Sequence, residues 1–251
     1  MGDLVLVQRD EGVGVLSYNR PERHNALNDE LGREAGQAMA SLMADDEVRV
    51  VLLRGEGRSF SSGRDTAQLG RRVGNDTDFS FLRRASESRT RQMSYTKPMV
   101  AALKGYVLGG ALETALGCDI RIASTDVQMA FPEVQHGLVT DTGGSPMTTV
   151  LAGPSRAKWM LLTGDRIGAD RALQWGLVDQ VVAPEELDQV ALDLCKRIAK
   201  VPAQLAGLIK GLVDQTFDAQ VRAGLHSEML AQLALFSQRR PVTPGGTSGI
   251  V

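Results

Sequence analysis

Several things that would fix a function at once are scarce in this chain. It carries two cysteines, Cys118 and Cys195, three histidines, and only 4% aromatic residues in 251. Two cysteines cannot build a disulfide framework in a chain of this size, and these stand at no metal-ligand spacing. His24, His136 and His226 are scattered, so metal catalysis finds no ligand set and no metal is expected. With 28 basic and 30 acidic residues the net charge is −2, which gives no electrostatic case for nucleic acid. No apolar run approaches the ~20 residues of a membrane span. The opening MGDLVLVQRDEG lacks a basic stretch followed by an apolar one, so no signal peptide is expected, and a reducing cytoplasm is the default location. There is no GxxxxGK[ST] phosphate loop and no GxSxG elbow. GEGRSF, Gly55 to Phe60, has two of the three glycines of a dinucleotide fingerprint and lacks the third.

What is present is ordinary globular material: 43% hydrophobic and 23% charged residues, enough for one large domain or a domain with an appendage. LVLVQ (4–8) and VGVLSY (13–18), separated by Asp10-Glu11-Gly12, read as a hairpin. Asn28 to Met43 has helical periodicity with Asn28 as N-cap. VRVVLLRG (48–55), MVAAL (99–103), DIRIAS (119–124), VQMAF (127–131) and Leu177 to Val182 read as strands. GYVLGGALETALGCD (105–119) reads as a buried helix behind a pair of glycines, with Cys118 as a small core residue. Beyond Gly144 the chain is mostly helical, with starts near Pro154, Ala169, Pro184 and Pro202. Strands alternating with helices predict an α/β fold with a mainly parallel sheet and a helical C-terminal part. The arginines Arg71, Arg72, Arg83, Arg84, Arg89 and Arg91 are open to two readings, a solvated helix face or contacts to an anionic group of a ligand.

The chemistry points to carboxylates. Glu113, Glu133 and Asp141 all fall in segments poor in other charges. Each has a plain structural reading as a cap, a dipole partner or half of an ion pair, Asp141 before Thr-Gly-Gly above all. Two carboxylates brought together can hold one proton between them, which is what general acid–base work requires. Gly109 and Gly110 stand at a helix N-terminus, where backbone N–H groups lack partners and a ligand oxygen can approach closely. SSGRDT (61–66) is a second loop of small residues. If it faces the first, two amides converge on one oxygen, as in an oxyanion hole.

These segments together resemble the crotonase family, the enoyl-CoA hydratase/isomerase superfamily. The likeness spans roughly residues 4 to 215, through PERHNALN (21–28), GEGRSFSSGRD (55–65), KPMVAALKGYVLGGALE (97–113) and GDRIGADRALQWGLVDQVV (164–182). It implies the ββα spiral core of that family over residues 1–185 and a helical lid or oligomerisation region over 186–240, while the Pro/Gly/Thr/Ser-rich composition of 241–251 predicts a disordered tail. It also implies an acyl-CoA thioester as substrate, with coenzyme A part of that substrate and no separate cofactor. The oxyanion donors correspond to the amides of Arg64 and Gly110. The positions matching the CoA and substrate site are Arg23, His24, Ala26, Ser62, Gly63, Asp65, Thr66 and Gly109, with Lys97 or Arg83 and Arg84 as further phosphate contacts. Family members are trimers or dimers of trimers, which sets the expected homo-oligomer.

Hydratases of the family hold water between two glutamates twenty positions apart, and Glu113 and Glu133 have that spacing. The resemblance therefore implies syn addition of water to a 2-enoyl-CoA, Glu133 giving the proton to C2 and Glu113 activating the water. VTDTGG (139–144) departs from the usual hydratase loop and places Asp141 eight residues beyond Glu133. The dienoyl-CoA isomerase branch has a glutamate and an aspartate at these places. The alternative is thus an enoyl- or dienoyl-CoA isomerase that shuttles protons between Glu133 and Asp141.

Overall fold

The computed structural model describes residues 3–68 and 76–238. The expected disordered tail over 241–251 and Arg71 and Arg72 lie outside the described residues.

The N-terminal runs pair as expected. β1 (Val5–Asp10) and β2 (Val13–Tyr18) are antiparallel, joined by Glu11 and Gly12, both at positive φ. Two left-handed residues match the twist of a tight hairpin. Asn28 caps α1 (Asp29–Ala44), its side-chain oxygen accepting from the Leu31 amide at 2.8 Å. A cap of this kind stabilises a helix by about 1 kcal/mol. β3 (Val50–Gly55) follows, then α2 (Asp78–Met93) and β4 (Met99–Leu103).

The stretch 105–119 is not one helix. Tyr106–Leu108 is a short strand, β5, and only Gly110–Leu116 is helical, as α3. Tyr106 and Val107 favour extended backbone, and Gly109, at φ +54 and ψ −128, turns the chain before the helix begins. β6 (Ile120–Ser124) and β7 (Gln128–Ala130) come next, then a 3₁₀ turn over Pro132–His136. Four helices follow with one short strand between them: α4 (Gly144–Ala152), α5 (Pro154–Thr163), α6 (Ala169–Gln174), β8 (Gln180–Val182) and α7 (Leu187–Ala199). The strand expected from Leu177 is thus confined to its last three residues. The chain ends its described part in α8 (Ala203–Gln238), 36 residues long.

The main sheet has the order β1-β2-β3-β4-β6-β8, all parallel except β1, and β5 pairs in parallel with β7 in a second sheet. Successive strands β4 and β5, then β6 and β7, therefore divide between the two sheets before a helical segment follows, a repeated β–β–α unit. Both faces of the main sheet are covered, which is why its strands read as unbroken apolar runs. Val51, Leu53, Ala101 and Leu103 face the larger core with α1, α3 and α4. Their alternates Val50, Leu52, Val100 and Ala102 pack against Leu187, Ala191 and Cys195 of α7. Cys118 is buried in the larger core, as expected.

The C-terminal half of α8 buries Val221, Leu225 and Met229, while Leu208, Ile209, Leu212 and Val213 in its first half are exposed. Among the described residues no helix is long and apolar enough to cross a membrane.

Candidate active site

The site begins with a buried asparagine. The Asn25 side chain accepts from the Arg20 amide at 2.7 Å and donates to the Glu56 and Ser59 carbonyls at 2.9 and 2.8 Å. It thereby fastens the 20–28 segment to the loop after β3. Two lone bridges, Leu27 with Arg64 and Ser61 with Val107, suspend residues 61–66 between that segment and β5. A Cβ on Gly63, at φ +82, would collide with the Leu108 carbonyl, so only glycine permits the approach. The backbone around Arg64 is thus laid against Leu108 and Gly109, one residue before α3.

The two amides that matter lie on the two sides of this contact. Among the described residues no backbone carbonyl takes the Arg64 N–H, and Gly110, the first residue of α3, has an N–H with no intrahelical acceptor. The Arg64 side chain turns elsewhere, to Asp29 at 2.5 Å and over the Phe81 ring. Both residues line a single cavity of about 580 Å³. Ser62, Gly63, Thr66 and Gly109 border it as well, and so do all three carboxylates, Glu113, Glu133 and Asp141. The remaining wall is largely apolar and comes from α1 and α2, including Leu31, Ala35, Met39 and Phe81.

The other expected binding residues stand outside that lining. Arg23 is exposed in the 3₁₀ turn Pro21–Arg23. His24 is hydrogen-bonded through Nδ1 with Ser59 at 2.9 Å, and its ring packs on Tyr106 with centroids 5.1 Å apart. The Ala26 carbonyl accepts from Arg20 at 3.2 Å. Asp65 forms an ion pair with the same arginine at 2.6 Å, and that hydrogen bond holds its carboxyl below the usual range. His24, Ala26 and Asp65 thus fix the loop and stand outside the cavity lining. Lys97 Nζ donates to the Leu42 and Asp45 carbonyls at 3.0 and 2.6 Å, so a phosphate-binding role gives way to closing the end of α1. Arg84 is paired with Asp76, and Arg83 with Glu87 at 3.6 Å.

The carboxylates differ in what they hold. Glu113, on α3 and only 2% exposed, accepts the Thr142 amide at 2.9 Å and the Gly144 amide at 2.8 Å on Oε1. Its Oε2 accepts the Thr142 hydroxyl at 2.6 Å. A carboxylate offers about four acceptor positions, so one remains on Oε2. Burial, and next the charge of Glu228, push its pKa up, while the Thr142 hydrogen bonds oppose them.

Glu133 projects from the 3₁₀ turn after β7 toward Gly109. A Cβ on Gly109 would stand 2.6 Å from its Oε1. Its Oε2 is buried with no hydrogen-bond partner. Burial first, then the Glu113 charge, with Asp141 and Glu228 contributing, raise its pKa to about 8. A buried carboxyl with a free oxygen and a proton near neutrality is a group equipped to transfer that proton.

Sequence reasoning did not find the rest of the wall. Arg89, expected on a helix surface or at a ligand, is 4% exposed. It borders the cavity and donates to the Thr142 carbonyl at 2.6 Å. Gln232 and Phe236 reach the cavity from α8. The signal for them lay only in the spacing of a helix on which both stand more than 90 residues beyond Asp141 in the chain. Among the described residues no group of histidine, cysteine and carboxylate side chains is arranged to hold a metal ion.

Comparison with known proteins gives a consistent picture. The family model described as enoyl-CoA hydratase/isomerase matches residues 8–242. A short-chain-enoyl-CoA hydratase of Clostridium acetobutylicum is 32% identical, covering 93% of this chain and 89% of its own. A 1,2-epoxyphenylacetyl-CoA isomerase of Escherichia coli is also 32% identical, over 88% of this chain and 87% of its own. Among solved structures, an enoyl-CoA hydratase/isomerase from Xanthobacter autotrophicus superposes with a TM-score of 0.85 at 32% identity, covering 94% and 88% of the two chains.

Proposed function

Since the chain belongs to the enoyl-CoA hydratase/isomerase family, we propose that it is an enoyl-CoA hydratase, adding water to a 2-enoyl-CoA thioester to give a 3-hydroxyacyl-CoA. The observation that carries this reading is the pair Glu113 and Glu133 on one cavity, each with an oxygen still able to bond water. The thioester oxygen lies between the Arg64 and Gly110 amides, which draw electrons from C3 and hold the enolate charge that follows. Donors of this kind contribute about 3–4 kcal/mol each to a transition state. Water held by the remaining site of Glu113 attacks C3 and passes a proton to that carboxylate. Glu133 delivers its own proton to C2. Atoms balance without an electron carrier, since the step is a redox-neutral addition. The raised pKa of Glu133 keeps it protonated near neutrality, and burial favours a proton on Glu113 once the water is cleaved.

The apolar wall from α1 and α2 receives the acyl chain, and the loop fastened by Asn25 carries the coenzyme A portion past His24 and Ser62. The helical region 186–240 serves as lid and contact surface between copies. The exposed stripe Leu205, Leu208, Ile209, Leu212 and Val213 on α8 suits a homotrimer or a dimer of trimers. Incubation with crotonyl-CoA, followed by the loss of the conjugated-thioester absorbance, tests the assignment. Absence of turnover on both short and long enoyl-CoA chains would overturn it.

One observation favours a second reading, double-bond migration in an enoyl- or dienoyl-CoA. Three of the acceptor positions of Glu113 are already occupied, whereas Asp141 borders the same cavity and its charge acts on Glu133. A proton shuttled between Glu133 and Asp141 would move the double bond. Asp141→Asn abolishes migration in a dienoyl-CoA under this reading and leaves crotonyl-CoA hydration within about tenfold under the first.

A further inference from the structure

We propose that Glu228, on the C-terminal helix α8, is a positioning residue for the reaction: it fixes the Thr140–Ser145 loop, and through that loop Glu113 and Asp141, relative to Glu133.

The helix α4 begins without a side-chain cap, because its N-cap is Gly143 at φ +105. Its leading amides are taken instead by two acids from distant parts of the chain. The Thr142 and Gly144 amides go to Glu113. Those of Gly143 and Ser145, at 2.7 Å each, go to Glu228, which also accepts the Thr140 and Ser145 hydroxyls at 2.6 Å. Four successive amides thus alternate between the two carboxylates. Displacing either acid moves the backbone that holds the other. Asp141 lies inside the bracket formed by Thr140 and Gly143, both held by Glu228. One turn further along α8, Gln232 accepts the Val139 amide at 3.0 Å, which secures the start of the same loop.

Capping alone does not explain a second buried charge here. A neutral side chain can accept from a helix-terminal amide without carrying a charge, and a buried carboxylate costs several kcal/mol unless compensated. Glu228 is 5% exposed and Glu113 2%. The charged groups that face them are Glu133 from the 3₁₀ turn, Asp141 from the loop and Arg89 from α2, since α4 carries no charged residue and Arg222 and His226 on α8 are exposed. Among the described residues one guanidinium therefore stands with four carboxyl groups. Burial first, and then the negative charge of the other three carboxyl groups, keeps a proton on Glu133.

The inference rests on this cavity being the reaction site. Two variants separate geometry from charge in the full-length protein with crotonyl-CoA. Glu228→Gln keeps the shape and removes the charge. Its alkaline limb in the kcat–pH profile should move down by about half a unit or more. Glu228→Asp keeps the charge and shortens the reach. Its limb should stay in place while kcat falls about tenfold or more, with KM changed less than about threefold. In both, the Gly143 and Ser145 amides should lose about tenfold or more of their hydrogen-exchange protection. A lower thermal midpoint with kcat, profile and exchange all as in the parent would overturn the proposal. No turnover by the parent protein would instead sink the reaction assignment, and the exchange of Gly143 and Ser145 would still decide whether Glu228 holds the loop.

Discussion

The N-terminus of α3 and the loop leading into α4 both border the cavity, and the two helices treat their free amides in opposite ways. At α4, four consecutive amides from Thr142 to Ser145 are taken by the buried carboxylates of Glu113 and Glu228. At α3 the Gly110 amide has no intrahelical acceptor, and the Arg64 amide across from it is not taken by another backbone group among the described residues. Both helices begin after a glycine at positive φ, so local conformation does not distinguish them. Supply of acids does. Satisfied donors make the α4 end a rigid support, and unsatisfied donors make the α3 end a place for a ligand oxygen.

The strongest challenge to this contrast is to remove the proton carrier beside the open end. Glu133→Gln should lower kcat for crotonyl-CoA hydration about 10³-fold while the protein stays folded, since Glu133 Oε2 has no bond to lose. Gly110→Pro deletes the open amide itself. Proline is tolerated at the first position of a helix, so the far-ultraviolet circular dichroism should be kept while kcat drops about 10²-fold or more. A variant of normal activity would show that this amide is not an oxyanion donor. At the closed end, Thr142→Val removes one hydroxyl from Glu113 and should cost about 1–2 kcal/mol in chemical denaturation, with kcat lower by about tenfold.

Smaller effects test the electrostatics. Glu133 is raised from about 4.5 to about 8, so the folded protein binds that proton more tightly than the unfolded chain. Its contribution to stability is complete below pH ~4.5 and lost as pH rises through ~8. The thermal midpoint should fall over that window, and Glu133→Gln should flatten the fall; parallel curves would remove Glu133 from the account. Smallest of all, Arg84→Ala breaks an exposed pair with Asp76 and should change stability by less than about 0.5 kcal/mol and leave KM unaltered. A marked rise in KM would return the exposed arginines to phosphate binding.

What could be read from the chain was whatever local chemistry decides. The Asn28 cap, the Glu11-Gly12 turn and the apolar strands declare themselves because their signals lie within a few residues. Charge-poor surroundings pointed to Glu113, Glu133 and Asp141, and the resemblance added the amides of Arg64 and Gly110; all five residues border one cavity. The strand Tyr106–Leu108 at the head of 105–119 was missed because an apolar run suits a buried strand as well as a buried helix, and only pairing with β7 decides. Glu228 was invisible for a different reason. Its partners stand 83 to 88 residues away, and nothing in EMLAQLALF (228–236) separates an acid that holds a loop from one on a solvated face. Asn25 was passed over between His24 and Ala26, although its three hydrogen bonds hold the loop together.

The two cysteines, so unpromising as chemistry, divide between the two apolar layers: Cys118 in the larger one and Cys195 in that under α7. Both are buried, and burial pushes each thiol up to about 12, so neither offers a thiolate at neutral pH. An alkylating reagent therefore reaches each only when its own side of the sheet opens. Mass-resolved labelling of the two sites gives the protein a built-in pair of clocks, one for each layer, with no probe to be engineered.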